Sequence, residues 1–108
     1  KHFDTRWKMS QKTMQYLRKA IPAFTMLQDE SRQDMLILLF DKGEMTVNQL
    51  TDHMSLSRPT VSHHLKLLYS ADLVTYRKDG KERYYSVCLE EALVILKDLV
   101  QSIEEDLK

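Results

Sequence analysis

Apolar residues recur along most of this chain at steps of three and four, the period of a helix with one buried face. Phe3, Trp7, Met14, Leu17, Ile21 and Phe24 form the first such stripe, over residues 3–27. Pro22 disfavours helix at Ile21 and removes an amide, so a kink or break is predicted there. Asp29 starts a second helix, whose Met35, Leu36, Leu38, Leu39 and Phe40 are apolar nearly all round. Such a helix is predicted to be central and buried, and Gly43 ends it. Thr46 can cap a short third helix holding Val47, Leu50 and Met54. Ser55-Leu56-Ser57 turns the chain into a fourth helix, with Ser57 as N-cap and Pro59 in the first turn. Leu73 to Lys78 and Lys81 to Val87 read as strands joined by a two-residue turn at Asp79-Gly80. A last helix runs from about Leu89 to Leu107.

The predicted fold is therefore mainly α with one two-stranded hairpin, in the order α-α-α-α-β-β-α. Its 108 residues support a single domain and include only two glycines and two prolines to interrupt the helices. No apolar run approaches the ~20 residues that cross a bilayer. No charged-then-apolar leader opens the sequence, so a cytoplasmic protein is expected. A single cysteine, Cys88, excludes an internal disulfide framework.

The net charge is zero, but it is unevenly spread. Residues 1–27 carry six Lys/Arg against one acid and residues 57–84 six against three, while residues 28–56 carry two against six. Surface potential depends on where charge sits rather than on the sum. The 57–84 segment holds the chain's most telling pattern. From Ser57 to Leu68, Val61, Leu65 and Leu68 share one helical face, with His64 at its margin as a packed histidine whose ring nitrogen finds a local acceptor. His63 and Lys66 point the other way, with Thr60 and Ser62 on the flanks. No acid occurs from Ser57 to Ala71. A helix-turn-helix whose outer face lacks acids, beside a basic hairpin, can enter a major groove ~12 Å wide. In the hairpin the Asp79-Gly80 turn sets Lys78 opposite Lys81, Arg77 opposite Glu82 and Tyr76 opposite Arg83. Like charges placed opposite are destabilising. A nearby phosphate would offset that cost, which makes Lys78, Lys81 and Arg83 candidate backbone contacts.

In three segments the chain resembles the ArsR/SmtB family of bacterial winged helix-turn-helix repressors. They are Leu27–Leu36, Ser57–Leu68, and Leu73-Val74 through Gly80 to Tyr84–Val87, in the family's order and spacing. The first departs at Glu30, where the family usually has proline. The resemblance implies a homodimeric, sequence-specific regulator of transcription, generally a repressor on double-stranded DNA. Its recognition-helix contacts map to Arg58, Thr60, Ser62 and His63, a contact from the preceding helix to Thr46 or Val47, and wing-tip contacts to Lys78, Gly80 and Lys81. The family's metal sites do not carry over. Cysteine positions in the helix before the turn hold Thr46, Asn48 and Thr51, and those across the terminal helices hold Leu89, Glu91, Ser102 and Glu105. Borderline metals want thiolate or imidazole, so no metal and no cofactor are expected, and the effector is left open.

Leu89, Leu93, Leu96, Val100, Ile103 and Leu107 form a seam of coiled-coil spacing, widened by Ala92, Ile95 and Leu99. Together with Trp7, Met14, Leu17 and Phe24 this exceeds what one small body buries, and a homodimer through the N- and C-terminal helices is expected. The implied organisation is one winged helix-turn-helix domain over 1–108. It comprises a dimerisation helix (1–27), the helix-turn-helix (46–71), the wing (73–87) and a second dimerisation helix (89–107). Two other readings stand beside it: a winged-helix protein-interaction module without DNA binding, and a redox-responsive regulator acting through Cys88. An enzyme is not expected, since the chain has no glycine-rich phosphate loop, nucleophile elbow or paired-carboxylate motif.

Overall fold

The computed structural model describes residues 8–108. It comprises α1 (Gln11–Met26), α2 (Glu30–Lys42), α3 (Val47–Asp52), α4 (Arg58–Ser70), β1 (Val74–Asp79), β2 (Glu82–Val87) and α5 (Glu90–Asp106). Each of the first four helices opens on a side-chain cap of the orphan amides: Ser10, Asp29, Thr46 and Ser57. Thr46 and Gln49 form a full capping box, and Gly43 ends α2 at φ +81°.

Met35, Leu39, Leu50, Val61, Leu65, Leu68, Leu73, Val74 and Tyr85 form one core, to which α2, α3, α4 and the hairpin all contribute. The end of α4 directs the chain into the wing. Leu73 N bonds Leu68 O at 3.0 Å and Asp72 N bonds Tyr69 O at 3.1 Å, a Schellman ending with Asp72 at φ +58° in the place glycine usually takes. Leu68 and Leu73 are both in the core, which supplies the apolar contact that accompanies this motif. On the outer edge of β2, Met45 and Tyr85 exchange two backbone hydrogen bonds, adding a one-residue third strand that the apolar pattern did not predict.

Three expectations are corrected here. Pro22 neither breaks nor ends the first helix, since α1 continues through it to Met26. Arg18 and Pro22 are both exposed, so water can satisfy the carbonyl that the missing amide leaves. The second helix is not buried all round: Ile37 is 58% and Phe40 74% exposed, because only the Met35 and Leu39 line meets α4 and β2. The hairpin turn is centred on Gly80-Lys81 rather than Asp79-Gly80, with Asp79 opposite Glu82. Positive φ falls on Gly80 alone, as a II′ turn requires, whereas Asp-Gly in a I′ turn needs it at both residues. The observed register places Val74 opposite Val87 and Tyr76 opposite Tyr85, apolar against apolar.

A polar latch joins α1 to α5 across 89 to 96 positions. The buried Thr13 hydroxyl hydrogen-bonds the buried Ser102 hydroxyl and donates to Asp106 Oδ2 at 2.7 Å. Ser10 N donates to the same oxygen at 2.9 Å. These bonds, that from the Ser10 backbone foremost, hold the Asp106 carboxyl below its ordinary range. A depressed carboxyl contributes stability above its unfolded value of about 3.9 and loses it as the pH falls through the folded value. Asp106→Asn is therefore expected to lower the melting temperature at pH 7 and to narrow its gap to wild type on acidification to pH 3. A gap that stayed the same at every pH would show that the ionised Asp106 carboxylate does not contribute through the latch.

Candidate nucleic-acid interface

The outer face of α4 carries the residues singled out from the sequence. Val61, Leu65 and Leu68 are completely buried, which anchors the helix on the core. Arg58, His63 and Lys66 are exposed, and Thr60 and Ser62 are half-buried at the flanks. His64, on the inner margin, meets a donor rather than the expected acceptor. Arg32 Nη1 lies 3.2 Å from His64 Nδ1, and guanidinium has no lone pair, so Nδ1 accepts and the ring proton sits on Nε2. Arg32 Nε also donates to Met26 O at 2.7 Å. One side chain thus ties the end of α1 to α4, a link that no local periodicity signals.

At the start of α3 the structure buries one of the two expected contacts, Thr46, and leaves the other, Val47, partly exposed. Thr46 is 6% exposed and its hydroxyl accepts from Gln49 N, so it positions the helix and is not available as a contact. Val47 is half-buried against the core. Asn48 on that turn is exposed, and its Oδ1 accepts from Arg58 Nε at 2.7 Å. Sequence spacing alone did not bring these two residues together, because they lie on different helices.

Two of the wing's cations, Lys78 and Arg83, share a strand face. Lys78 stands opposite Arg83, not Lys81, and Arg77 opposite Tyr84, not Glu82. Arg83 lies over the Tyr76 ring at 4.6 Å, rather than opposite Tyr76 as expected. Tyr76 in turn stacks between Tyr69 of α4 and Tyr85, with ring centroids 5.2 and 5.3 Å apart. Period-two alternation therefore puts Lys78 and Arg83 on the side of the hairpin that meets α4. Lys78, Gly80, Lys81 and Arg83 are all exposed. Arg77 is on the opposite side, where its Nε donates to Glu44 at 2.7 Å and its guanidinium lies over Tyr84 at 4.6 Å. It belongs to the fold rather than to this surface.

A compact helix-turn-helix with its exposed, acid-free face beside a cationic hairpin is now fully placed. A sequence profile described as "Bacterial regulatory protein, arsR family" matches residues 29–76. An arsenical resistance operon repressor of Staphylococcus aureus is 43% identical over 77 residues, covering 71% of this chain and 69% of that protein. The chain belongs to the ArsR family. An uncharacterized HTH-type transcriptional regulator of Methanocaldococcus jannaschii is 33% identical over 84 residues, covering 78% of this chain and 94% of that one. The solved structure of a "Possible transcriptional regulator for arsenical resistance" superposes with a TM-score of 0.61 at 40% identity, covering 72% of this chain and 79% of that one. This ArsR-family chain is a DNA-binding transcriptional regulator with a winged helix-turn-helix, and its family is one of regulators, not enzymes.

Two other features bear on regulation. Among the described residues no group of three or more His, Cys, Asp or Glu side chains could hold a metal ion. Cys88 is half-buried at the strand-to-helix junction, and burial together with the nearby Glu90 carboxylate pushes its thiol up. A raised thiol lowers the fraction present as thiolate, the form that reacts. No helix among the described residues is long and apolar enough to cross a membrane.

Proposed function

We propose that this ArsR-family regulator is a repressor that binds an inverted-repeat operator as a homodimer, reading bases with α4 and gripping phosphates with the wing. The observation that carries this reading is the acid-free outer face of α4, joined through Tyr69 and Tyr76 to the strand face that bears Lys78 and Arg83. Arg58, Thr60, Ser62 and His63 then lie along the groove floor, while Lys66, Lys78, Lys81 and Arg83 reach the backbone.

The terminal helices support the dimer. Leu93 and Val100 are 51% and 56% exposed on α5, and Leu89, Leu96 and Leu107 are exposed with them. On α1, Ile21 and Phe24 are exposed, while Met14 and Leu17 are half-buried. Trp7, assigned to the same interface, lies outside the described residues. An apolar hollow of about 420 Å³ between α1, the end of α4 and α5, walled by Phe24, Leu27, Leu93 and Leu96, suits a partner's side chains. A two-fold pair would set two recognition helices in successive major grooves, ~34 Å apart.

Binding to a duplex selected from a random-sequence pool, followed by fluorescence anisotropy across salt, tests the reading. If Lys66, Lys78, Lys81 and Arg83 of two protomers each neutralise one phosphate, affinity should fall ~10⁴-fold between 50 and 200 mM salt. His63→Ala combined with Lys66→Ala should weaken the preference for the selected sequence by about 5- to 150-fold while leaving the oligomeric state unchanged. Salt-independent affinity, or undiminished preference in that double variant, would sink the assignment.

A further inference from the structure

Resting on that reading, we infer that Arg58 is a guanine reader and that Asn48 is the residue that positions it. Arg58 is the first residue of α4, at the helix N-terminus, where the backbone dipole disfavours a cation. Among the described residues no carboxylate compensates for this, and the one hydrogen bond of its guanidinium goes to the neutral Asn48. A cation kept at an unfavourable position without an acidic partner is there for something outside the fold.

The geometry narrows what that is. Asn48 Oδ1 takes the Nε proton at 2.7 Å, so the amide oxygen faces Arg58 and the amide NH₂ is turned away. The Nε–Nη edge of the guanidinium is thereby occupied, and the Nη1–Nη2 end is left without a protein partner among the described residues. Two parallel N–H groups at a fixed spacing match the O6 and N7 acceptors that guanine presents in the major groove. The N-terminal residues of a recognition helix are the ones that reach base edges. Tethering also removes rotamer freedom that a long, exposed side chain would otherwise lose on binding. Asn48 sits on α3 and Arg58 on α4, so the reader is held across the turn of the motif itself.

The test uses the selected 30-bp duplex and its complete set of single-pair substitutions, with wild type, Arg58→Ala, Asn48→Ala, the double variant and Asn48→Asp. Wild type should prefer G·C at one position of each half-site by about 5- to 150-fold, and Arg58→Ala should erase that preference alone. Asn48→Ala should reduce the same preference by about 5-fold, at the low end of that range, and should change nothing further once Arg58 is already alanine. Asn48→Asp also accepts from Nε, so it should restore the preference while its charge weakens binding to every sequence. If Arg58→Ala lowered affinity equally for all duplexes, Arg58 would be a phosphate contact and the inference would be wrong. Additive losses in the double variant would overturn the positioning role. Failure of wild type to select any duplex would instead bring down the functional reading itself, before any variant is compared.

Discussion

Leu93→Glu combined with Val100→Glu should yield a folded monomer with operator affinity reduced ~10²- to 10⁴-fold. Both side chains are more than half exposed in the single chain, so the substitutions should shift its own stability by no more than about 0.5 kcal/mol. The dimer proposed above would instead bury four carboxylates at its centre, and each uncompensated buried charge costs several kcal/mol. With the second half-site no longer tethered, the avidity gain disappears, which sets the size of the loss. Analytical ultracentrifugation reads the mass and circular dichroism the fold. A variant that sediments like wild type would place the interface elsewhere.

Leu65→Ala has the largest expected effect on stability. Leu65 lies directly inside the recognition helix and is completely buried among the core residues. Leu-to-Ala changes at such sites cost about 2–5 kcal/mol, from lost transfer energy and the cavity left behind. Domains of this size are stable by only about 5–15 kcal/mol, and each kcal/mol moves the melting point by about 4–8 °C. A fall of at least ~8 °C is expected, with weaker operator binding as a consequence of the loosened helix. His63→Ala, two residues earlier and exposed, should melt within a few degrees of wild type. Similar melting points for the two variants would mean that the faces of α4 are wrongly assigned.

The two-faced character of α4 was legible because it depends on local spacing. Val61, Leu65 and Leu68 fall on one side of any helix these residues form, whatever surrounds them. The caps Asp29, Thr46 and Ser57 and the terminator Gly43 were legible for the same reason, since each acts on amides or carbonyls a few residues away. The wing was legible as a hairpin but not in register. Asp79-Gly80 and Gly80-Lys81 both offer glycine to a tight turn, and the choice followed from setting Tyr76 against Tyr85 and Val74 against Val87. Pro22 misled because its local preference was overridden in a helix anchored elsewhere by Ser10, Thr13 and Asp106.

By itself the sequence determined where helices form, the buried face of α4 and the acid-free surface opposite it, because periodicity and capping act over one or two turns. It also determined the absence of the family's thiolate and imidazole ligands from their usual positions, which is a matter of residue identity. Only the tertiary structure decided which side chains meet across elements: Asn48 with Arg58, Arg32 with His64, Glu44 with Arg77, and Thr13 with Ser102 and Asp106. It also left Phe40 and Ile37 exposed, since a hairpin and one bridging residue cannot cover every side of an apolar helix. Contacts between distant residues depend on how elements pack, and packing is settled by the shape of the whole core rather than by any one segment.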